Sequence, residues 1–188
     1  AMMLSMGIAS PVTKETAGAL YHQQLARQLG DWLPRILAKS GGILPLPDVF
    51  CLFNRARGSE LISPEDLLKA CQLWKRLGVP LQFRRFDSGI QVVQSLDRSD
   101  DEVCATLMEM INRPSESESH DGERKTSSSP SRMDTYSASV ALGINPTIAS
   151  EYLLMAERHG ILCRDDGPEA TYFYPNFFPE CSYATEAA

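Results

Sequence analysis

The residues of this sequence that could carry acid–base or metal chemistry are two pairs of adjacent acids and one His–Cys pair. Glu65-Asp66 and Asp100-Asp101 both follow helix-start signals, where the positive end of the helix dipole accounts for acidic side chains. A catalytic carboxylate pair would also need a pocket and two different environments. His159 and Cys163 are four residues apart, but Gly160 ends the helix between them, so we expect no metal site.

Other catalytic signatures are missing from the sequence as well. It contains no G-x-S-x-G elbow, no phosphate-binding loop, no G-x-G-x-x-G and no H-E-x-x-H. Its cysteines are odd in number, widely spaced and mostly in apolar context, which is typical of reduced, buried thiols in a cytosolic protein. We therefore predict a protein that is not an enzyme and that uses no cofactor.

The first half of the chain shows three helical patterns followed by a change to strand periodicity. The clearest start signal is Ser63-Pro64-Glu65-Asp66, which offers a capping hydroxyl, a first-turn proline and two acids. Pro34 is expected to bend or break the first helix, because it lacks an N–H and clashes with the preceding turn. The predicted elements are a helix from residue 17, a helix from about 47 to 58, a helix from 64 to 78 and a β-hairpin around Asp87-Ser88-Gly89.

The second half repeats this order, with a hairpin turn at Asp165-Asp166-Gly167. Residues 113–132 interrupt it with a run rich in Ser, Glu, Lys and Pro, which we expect to be disordered. The sequence thus predicts a mainly α fold with small β-hairpins (α+β), arranged as two tandem winged-helix domains. The predicted segments are an N-terminal arm at 1–16, domain one at 17–97, domain two at 98–180 with the insert at 113–132, and a tail at 181–188.

Charge divides the chain unevenly. Residues 1–98 hold twelve Lys or Arg against eight Asp or Glu, whereas residues 99–188 hold six against sixteen. The balances are therefore +4 and −10. An acidic second half disfavours nucleic-acid binding there, because phosphate contacts require basic side chains. It favours a surface that docks another protein.

A winged helix leaves nucleic-acid binding as the alternative function, since many such folds place the third helix in the major groove. The third helix of the first half carries Lys69, Lys75 and Arg76 against two acids, and its counterpart carries one arginine against two acids. The basic pairs Arg55/Arg57 and Arg84-Arg85 are equally compatible with a solvated or salt-bridged surface. Charge therefore makes this alternative the weaker one.

Five aromatic residues lie close together near the C-terminus: Tyr172, Phe173, Tyr174, Phe177 and Phe178. A strand in so small a domain buries one face, so aromatics on the other face would form an exposed patch of the kind that marks an interface. All five could instead close the core of the second domain. The sequence leaves both possibilities open.

Several motifs in order resemble the vacuolar protein sorting-associated protein thirty-six family, the ESCRT-II subunits whose N-terminal half is a GLUE domain. The resemblance spans residues 3 to about 178, and the insert at 113–132 is longer than the family pattern leads us to expect. The motifs are Met3-Leu4-Ser5-Met6-Gly7-Ile8, Pro11-Val12-Thr13, Asn54-Arg55-Ala56-Arg57-Gly58, Leu61-Ile62-Ser63-Pro64-Glu65-Asp66-Leu67, Phe86-Asp87-Ser88-Gly89 and Leu162-Cys163-Arg164-Asp165-Asp166.

The resemblance implies a scaffold subunit of ESCRT-II that sorts ubiquitinated membrane cargo into multivesicular bodies. The chain would be cytoplasmic, would be recruited to endosomal membranes and would form part of a longer protein that binds ubiquitin and lipid through its N-terminal region. Its partners would be the closest related subunit, at the base of the complex, and one copy of the smallest subunit on domain two. The expected partner-binding residues are Asp165 or Asp166, with Tyr172, Phe173 and Tyr174. We expect lysine at both acids to abolish co-purification with the smallest subunit.

Overall fold

The computed structural model describes residues 8, 10–112, 132–168 and 170–178, in which helices alternate with short antiparallel strands. A 3-10 turn at Gly18–Leu20 separates the first two helices. The helices are α1 Lys14–Ala17, α2 Tyr21–Leu37, α3 Leu46–Arg57, α4 Pro64–Leu77, α5 Asp100–Asn112, α6 Thr135–Leu142 and α7 Pro146–Arg158. The strands are β1 Ile43–Pro45, β2 Leu81–Arg85, β3 Gln91–Ser95, β4 Leu162–Asp166 and β5 Thr171–Pro175.

The chain forms two units, unit 1 at residues 1–99 and unit 2 at residues 100–188. The predicted insert at 113–132 lies outside the described residues except for Arg132, and the predicted tail at 181–188 lies entirely outside them. Each unit has its own set of buried apolar side chains.

Local capping chemistry explains where the helices begin and end. The Ser63 hydroxyl accepts a hydrogen bond from the Asp66 backbone N–H at 3.1 Å, and the Asn145 side chain accepts one from the Thr147 N–H at 2.8 Å. Gly78 ends α4 in the left-handed conformation, which favours glycine because a side chain would be strained there. The start predicted at Ser63-Pro64 and the end predicted near residue 78 are confirmed for α4.

The break expected at Pro34 does not occur, because α2 continues to Leu37. Pro34 is exposed in the last turn of α2. Leu33, Ile36 and Leu37 are buried around it. Burial of this apolar face thus holds the final turn in place against the proline's local preference.

Each unit contains a third strand-like segment that the predicted hairpins did not include. In unit 1, β1 pairs with β3, which gives the strand order β1-β3-β2. In unit 2, Met133 forms an isolated bridge with Phe173 through N–H···O bonds of 2.9 and 2.8 Å. Both units therefore run helix, strand segment, helix, helix, strand, strand, which is the winged-helix order.

The core of unit 1 lies between α2 and α4. Leu25, Leu29 and Leu33 of α2 are fully buried with Leu67 and Trp74 of α4. The Trp74 indole N–H donates to the backbone carbonyl of Ala26 at 3.0 Å, which satisfies its one polar atom. The remaining strands and α3 close this core.

The described part of the predicted arm packs against unit 1. The Ile8 N–H donates to the Ala56 carbonyl at 3.0 Å, and the Gln28 side chain donates to the Ser10 carbonyl at 3.0 Å. Arg57 is buried and completes the attachment by donating to the Val12 carbonyl at 2.6 Å. The arm is thus held by one backbone hydrogen bond and by the side chains of one buried arginine and one glutamine.

Candidate partner-binding surface of unit 2

The predicted partner-binding residues lie on the hairpin formed by β4 and β5. In its antiparallel register Asp165 is opposite Tyr172, Arg164 is opposite Phe173 and Asp166 is opposite Thr171. Side chains alternate between the two faces of a strand, and directly opposite residues share a face. The hairpin therefore separates the predicted residues into two groups.

Phe173 belongs to the face that points into the core. Only 2% of it is exposed, and Leu162 and Met133 beside it are also buried. Phe173 is therefore unavailable at the surface of this chain, although sequence reasoning placed it in the binding site. Its packing fixes β5 and with it the positions of the two flanking tyrosines.

The opposite face, which we call the outer face, carries Cys163, Asp165, Tyr172 and Tyr174 from the two strands, together with Arg132. Both tyrosines are half-buried and Asp165 is exposed. The Arg132 guanidinium lies 4.1 Å from the centre of the Tyr172 ring, a cation–π distance. The outer face thus combines aromatic area with one carboxylate and one guanidinium.

The two candidate acids differ in what they bind. Asp166 accepts a hydrogen bond from the Thr171 hydroxyl at 2.9 Å and lies 3.6 Å from Arg164 Nε. Arg164 also lies 3.3 Å from Glu157, so Asp166 belongs to a network on the other face of the hairpin. Asp165 makes no hydrogen bond or ion pair with any described residue and lies opposite Tyr172. Asp165 is consequently the acid that is free to pair with another protein.

The last two aromatic residues are outside the core. Phe177 is 60% exposed and Phe178 is 69% exposed. Asn176 fixes the backbone before them, because its amide donates to the Gly160 carbonyl at 2.8 Å and its side-chain oxygen accepts from the Phe178 N–H at 3.1 Å. Of the five clustered aromatics, only Phe173 is in the buried core.

Arg132 is the outer-face residue that sequence reasoning missed. It was assigned to the polar insert, whereas it directly precedes Met133, which bridges to β5. The repeated order of elements in the two halves could have indicated a strand segment at this position. In the first half, β1 immediately precedes α3, and Met133 has the corresponding position ahead of Asp134, which caps α6.

Of the adjacent acids considered for catalysis, Asp66 has a structural role. Burial raises the pKa of Asp66, but hydrogen bonds from Lys14, His22 and Ser63 outweigh that effect and lower it to about 2. Lys14 Nζ and His22 Nε2 each lie 2.9 Å from the carboxylate. Asp66 therefore joins α1 and α2 to the start of α4. Among the described residues, no group of three or more His, Cys, Asp or Glu side chains could hold a metal ion.

One of the basic residues considered for nucleic-acid binding is committed to internal contacts. The buried Arg57 guanidinium donates to Glu60 O, Gln28 Oε1 and Val12 O at 2.6, 2.7 and 2.6 Å. It also lies 5.4 Å from the centre of the Phe53 ring. A side chain with its donors used in this way cannot contact phosphate, which weakens the nucleic-acid alternative.

Comparison with known proteins gives a consistent family. A chain in the solved structure of the ESCRT-II endosomal trafficking complex is 21% identical, with a TM-score of 0.55 over 92% of this chain and 98% of that chain, and supports the fold. Vacuolar protein-sorting-associated protein 36 is 44% identical in Danio rerio and 42% identical in Homo sapiens, each over 94% of this chain and 42% of the relative. The chain thus spans less than half the length of these curated relatives.

Two further findings bear on the class of protein. In the described part of the chain, no helix has both the length and the apolar character needed to span a membrane. The sequence model of the EAP30/Vps36 family matches residues 1–166, which is most of the chain. With relatives this similar over nearly its whole length, the chain belongs to the EAP30/Vps36 family.

Proposed function

We propose that this chain is part of a non-catalytic scaffold subunit of ESCRT-II, and that the outer face of unit 2 binds the smallest subunit of that complex. Family membership supports the first part. The second part rests chiefly on one observation. Asp165, which has no partner among the described residues, lies opposite a half-buried tyrosine on an exposed hairpin.

The chemistry of the outer face defines what the partner must supply. Tyr172 and Tyr174 offer flat, partly apolar area that suits proline or aromatic side chains, and tyrosine is enriched among the residues that dominate interface energies. Asp165 requires a basic side chain on the partner. The attraction between these two charges would increase as the surrounding rings exclude water. Phe173 and Asp166 would act indirectly, by fixing the hairpin that presents these groups.

The wider role follows from the same proposal. The chain would join its closest related subunit at the base of the complex and hold one copy of the smallest subunit on unit 2. It would act in the cytoplasm, at endosomal membranes, during sorting of ubiquitinated cargo into multivesicular bodies. Ubiquitin and phosphoinositide binding would belong to the region N-terminal to this chain.

Co-expression with the other two ESCRT-II subunits tests the proposal. Size-exclusion chromatography with light scattering should give a four-chain complex that contains two copies of the smallest subunit. Asp165→Lys should remove the copy held by this chain and leave the remaining complex intact. Tyr172→Ala should weaken the same contact, because it removes most of the ring area beside the acid.

Asp166→Lys is the matched control, since it makes the same charge change one residue away on the other face of the hairpin. It should retain the smallest subunit, provided that circular dichroism shows an intact fold. Equal loss with both lysine variants would contradict the assignment to the outer face. A chain that binds neither other subunit would contradict the scaffold function itself.

A further inference from the structure

Unit 1 contains an apolar pocket that the proposed function does not use. It lies between the C-terminal end of α4 and strand β2, and its volume is about 720 Å³. Pockets that hold small ligands or anchoring side chains typically have about 300–1,000 Å³. Its lining residues include Trp74, Lys75, Val79, Leu81, Phe83 and Leu96.

The rim of this pocket indicates the chemistry of its occupant. Leu96 is 60% exposed, so part of the apolar wall faces solvent. Among the described residues that line the pocket, Lys75 is the one with a charged side chain, and it too is exposed. An apolar wall beside an ammonium group fits a large apolar side chain that is accompanied by negative charge.

Unit 2 presents large apolar side chains at its surface. Phe177 and Phe178 are exposed, and the Asn176 hydrogen bonds already fix the backbone that carries them, which lowers the entropy lost on docking. The two units also differ in charge. Residues 1–99 have a balance of +4 and residues 100–188 a balance of −10. The acidic unit that carries the phenylalanines would therefore be attracted to the basic unit that carries the pocket.

We propose that the pocket of unit 1 in one copy of this chain receives Phe177 and Phe178 from unit 2 of a second copy. The contact joins two different surfaces, so each copy supplies one half of it. Two phenylalanine rings bury about 300–500 Å² on their own side, or about 600–1,000 Å² with the pocket wall included, which is below the ~1,200–2,000 Å² total of stable complexes. The association should accordingly be weak and should decrease with added salt.

Sedimentation equilibrium of the chain from roughly 10 to 500 μM covers the range of a weak contact. We expect reversible association of the unaltered chain. The double variant Phe177→Ser/Phe178→Ser and the pocket variant Leu96→Asp should each weaken it at least ~10-fold. All three positions are exposed, so the folded state should tolerate the substitutions.

Two controls match these variants in residue type and exposure. Tyr136→Ser removes an exposed aromatic residue of unit 2, and Leu61→Asp adds a carboxylate at an exposed leucine of unit 1 that does not line the pocket. Both should associate like the unaltered chain. Equal weakening by the controls would show non-specific apolar association and would overturn the proposal.

Mixing the two defective variants gives the most specific test. The Phe177→Ser/Phe178→Ser copy keeps an intact pocket, and the Leu96→Asp copy keeps intact phenylalanines. The mixture should therefore form 1:1 dimers at concentrations where each variant alone is mostly monomeric. A mixture that stays monomeric would refute the contact. An unaltered chain that is monomeric at 500 μM would refute it as well. Neither test depends on the outer face of unit 2. Failure of this contact can therefore be distinguished from failure of the proposed ESCRT-II function.

Discussion

Replacement of Arg57 by alanine should destabilise unit 1 by about 3 kcal/mol and release residues 8–13 from its surface. Arg57 is 5% exposed and donates three short hydrogen bonds that connect the arm, α2 and the loop after α3. Burial is also the main cause of its lowered pKa, so the guanidinium is partly desolvated. One of the three bonds holds Val12 of the arm directly, and another holds Gln28, whose side chain also binds the arm at Ser10.

The magnitude follows from those contacts. A hydrogen bond to a charged group contributes about 1.5–3 kcal/mol, which would give about 5–9 kcal/mol for three bonds. Desolvation of the guanidinium offsets part of that sum, and the Glu60 carbonyl can be hydrated once the arginine is gone. About 2–4 kcal/mol remains, which for a domain of ~100 residues lowers Tm by roughly 10–20 °C.

Tryptophan fluorescence during urea unfolding measures this change for unit 1 alone, because both tryptophans, Trp32 and Trp74, lie in it. Arg55→Ala is the matched control, since Arg55 is exposed on the same helix and should change stability by less than ~0.5 kcal/mol. Limited proteolysis should cut near residues 8–13 only in the Arg57 variant. A loss below ~1 kcal/mol, or an arm that stays protected, would refute the assigned role of this arginine.

Three further predictions concern unit 1. Because the pKa of Asp66 is lowered from 3.8 to about 2, its ionised form stabilises the fold above pH ~4, and this stability is lost as pH falls toward 2. At about 1.4 kcal/mol per pKa unit, the lowered pKa contributes about 2 kcal/mol to the free energy of unfolding. Acid unfolding of Asp66→Asn should therefore lack this pH-dependent contribution. Burial raises the pKa of Cys71 to about 12, so alkylation at pH 8 followed by mass spectrometry should label the exposed Cys51 and leave Cys71 unmodified until the chain unfolds. Gly30→Ala would place a methyl group 2.7 Å from Val79 Cγ1, and overpacking of about 1–3 kcal/mol should exceed the helix-propensity gain of up to ~1 kcal/mol. A double-mutant cycle with Val79→Ala measures that clash, and additive effects would contradict it.

Local features of this protein, and its family, can be predicted from the order of its residues alone. The cap at Ser63, the stop at Gly78 and the hairpin turn at Asp87-Ser88-Gly89 depend on neighbours within a few residues, so their patterns predicted elements that the structure contains. The second hairpin also forms, but Asp165 and Asp166, which were predicted in its turn, are paired residues of β4. The motif order also predicted the family that the comparisons show.

Which side chains are available for function depends instead on contacts between distant parts of the chain. Asp165 and Asp166 are adjacent acids of equal charge, yet strand pairing puts one opposite Tyr172 and the other beside Thr171 and Arg164. Phe173 is buried on the core face of the hairpin, where its backbone also pairs with Met133, directly after the predicted insert. Likewise, Arg57 resembles a surface base in the sequence. Its carbonyl and amide partners lie up to 45 residues away in the chain, and no local pattern encodes contacts at that separation.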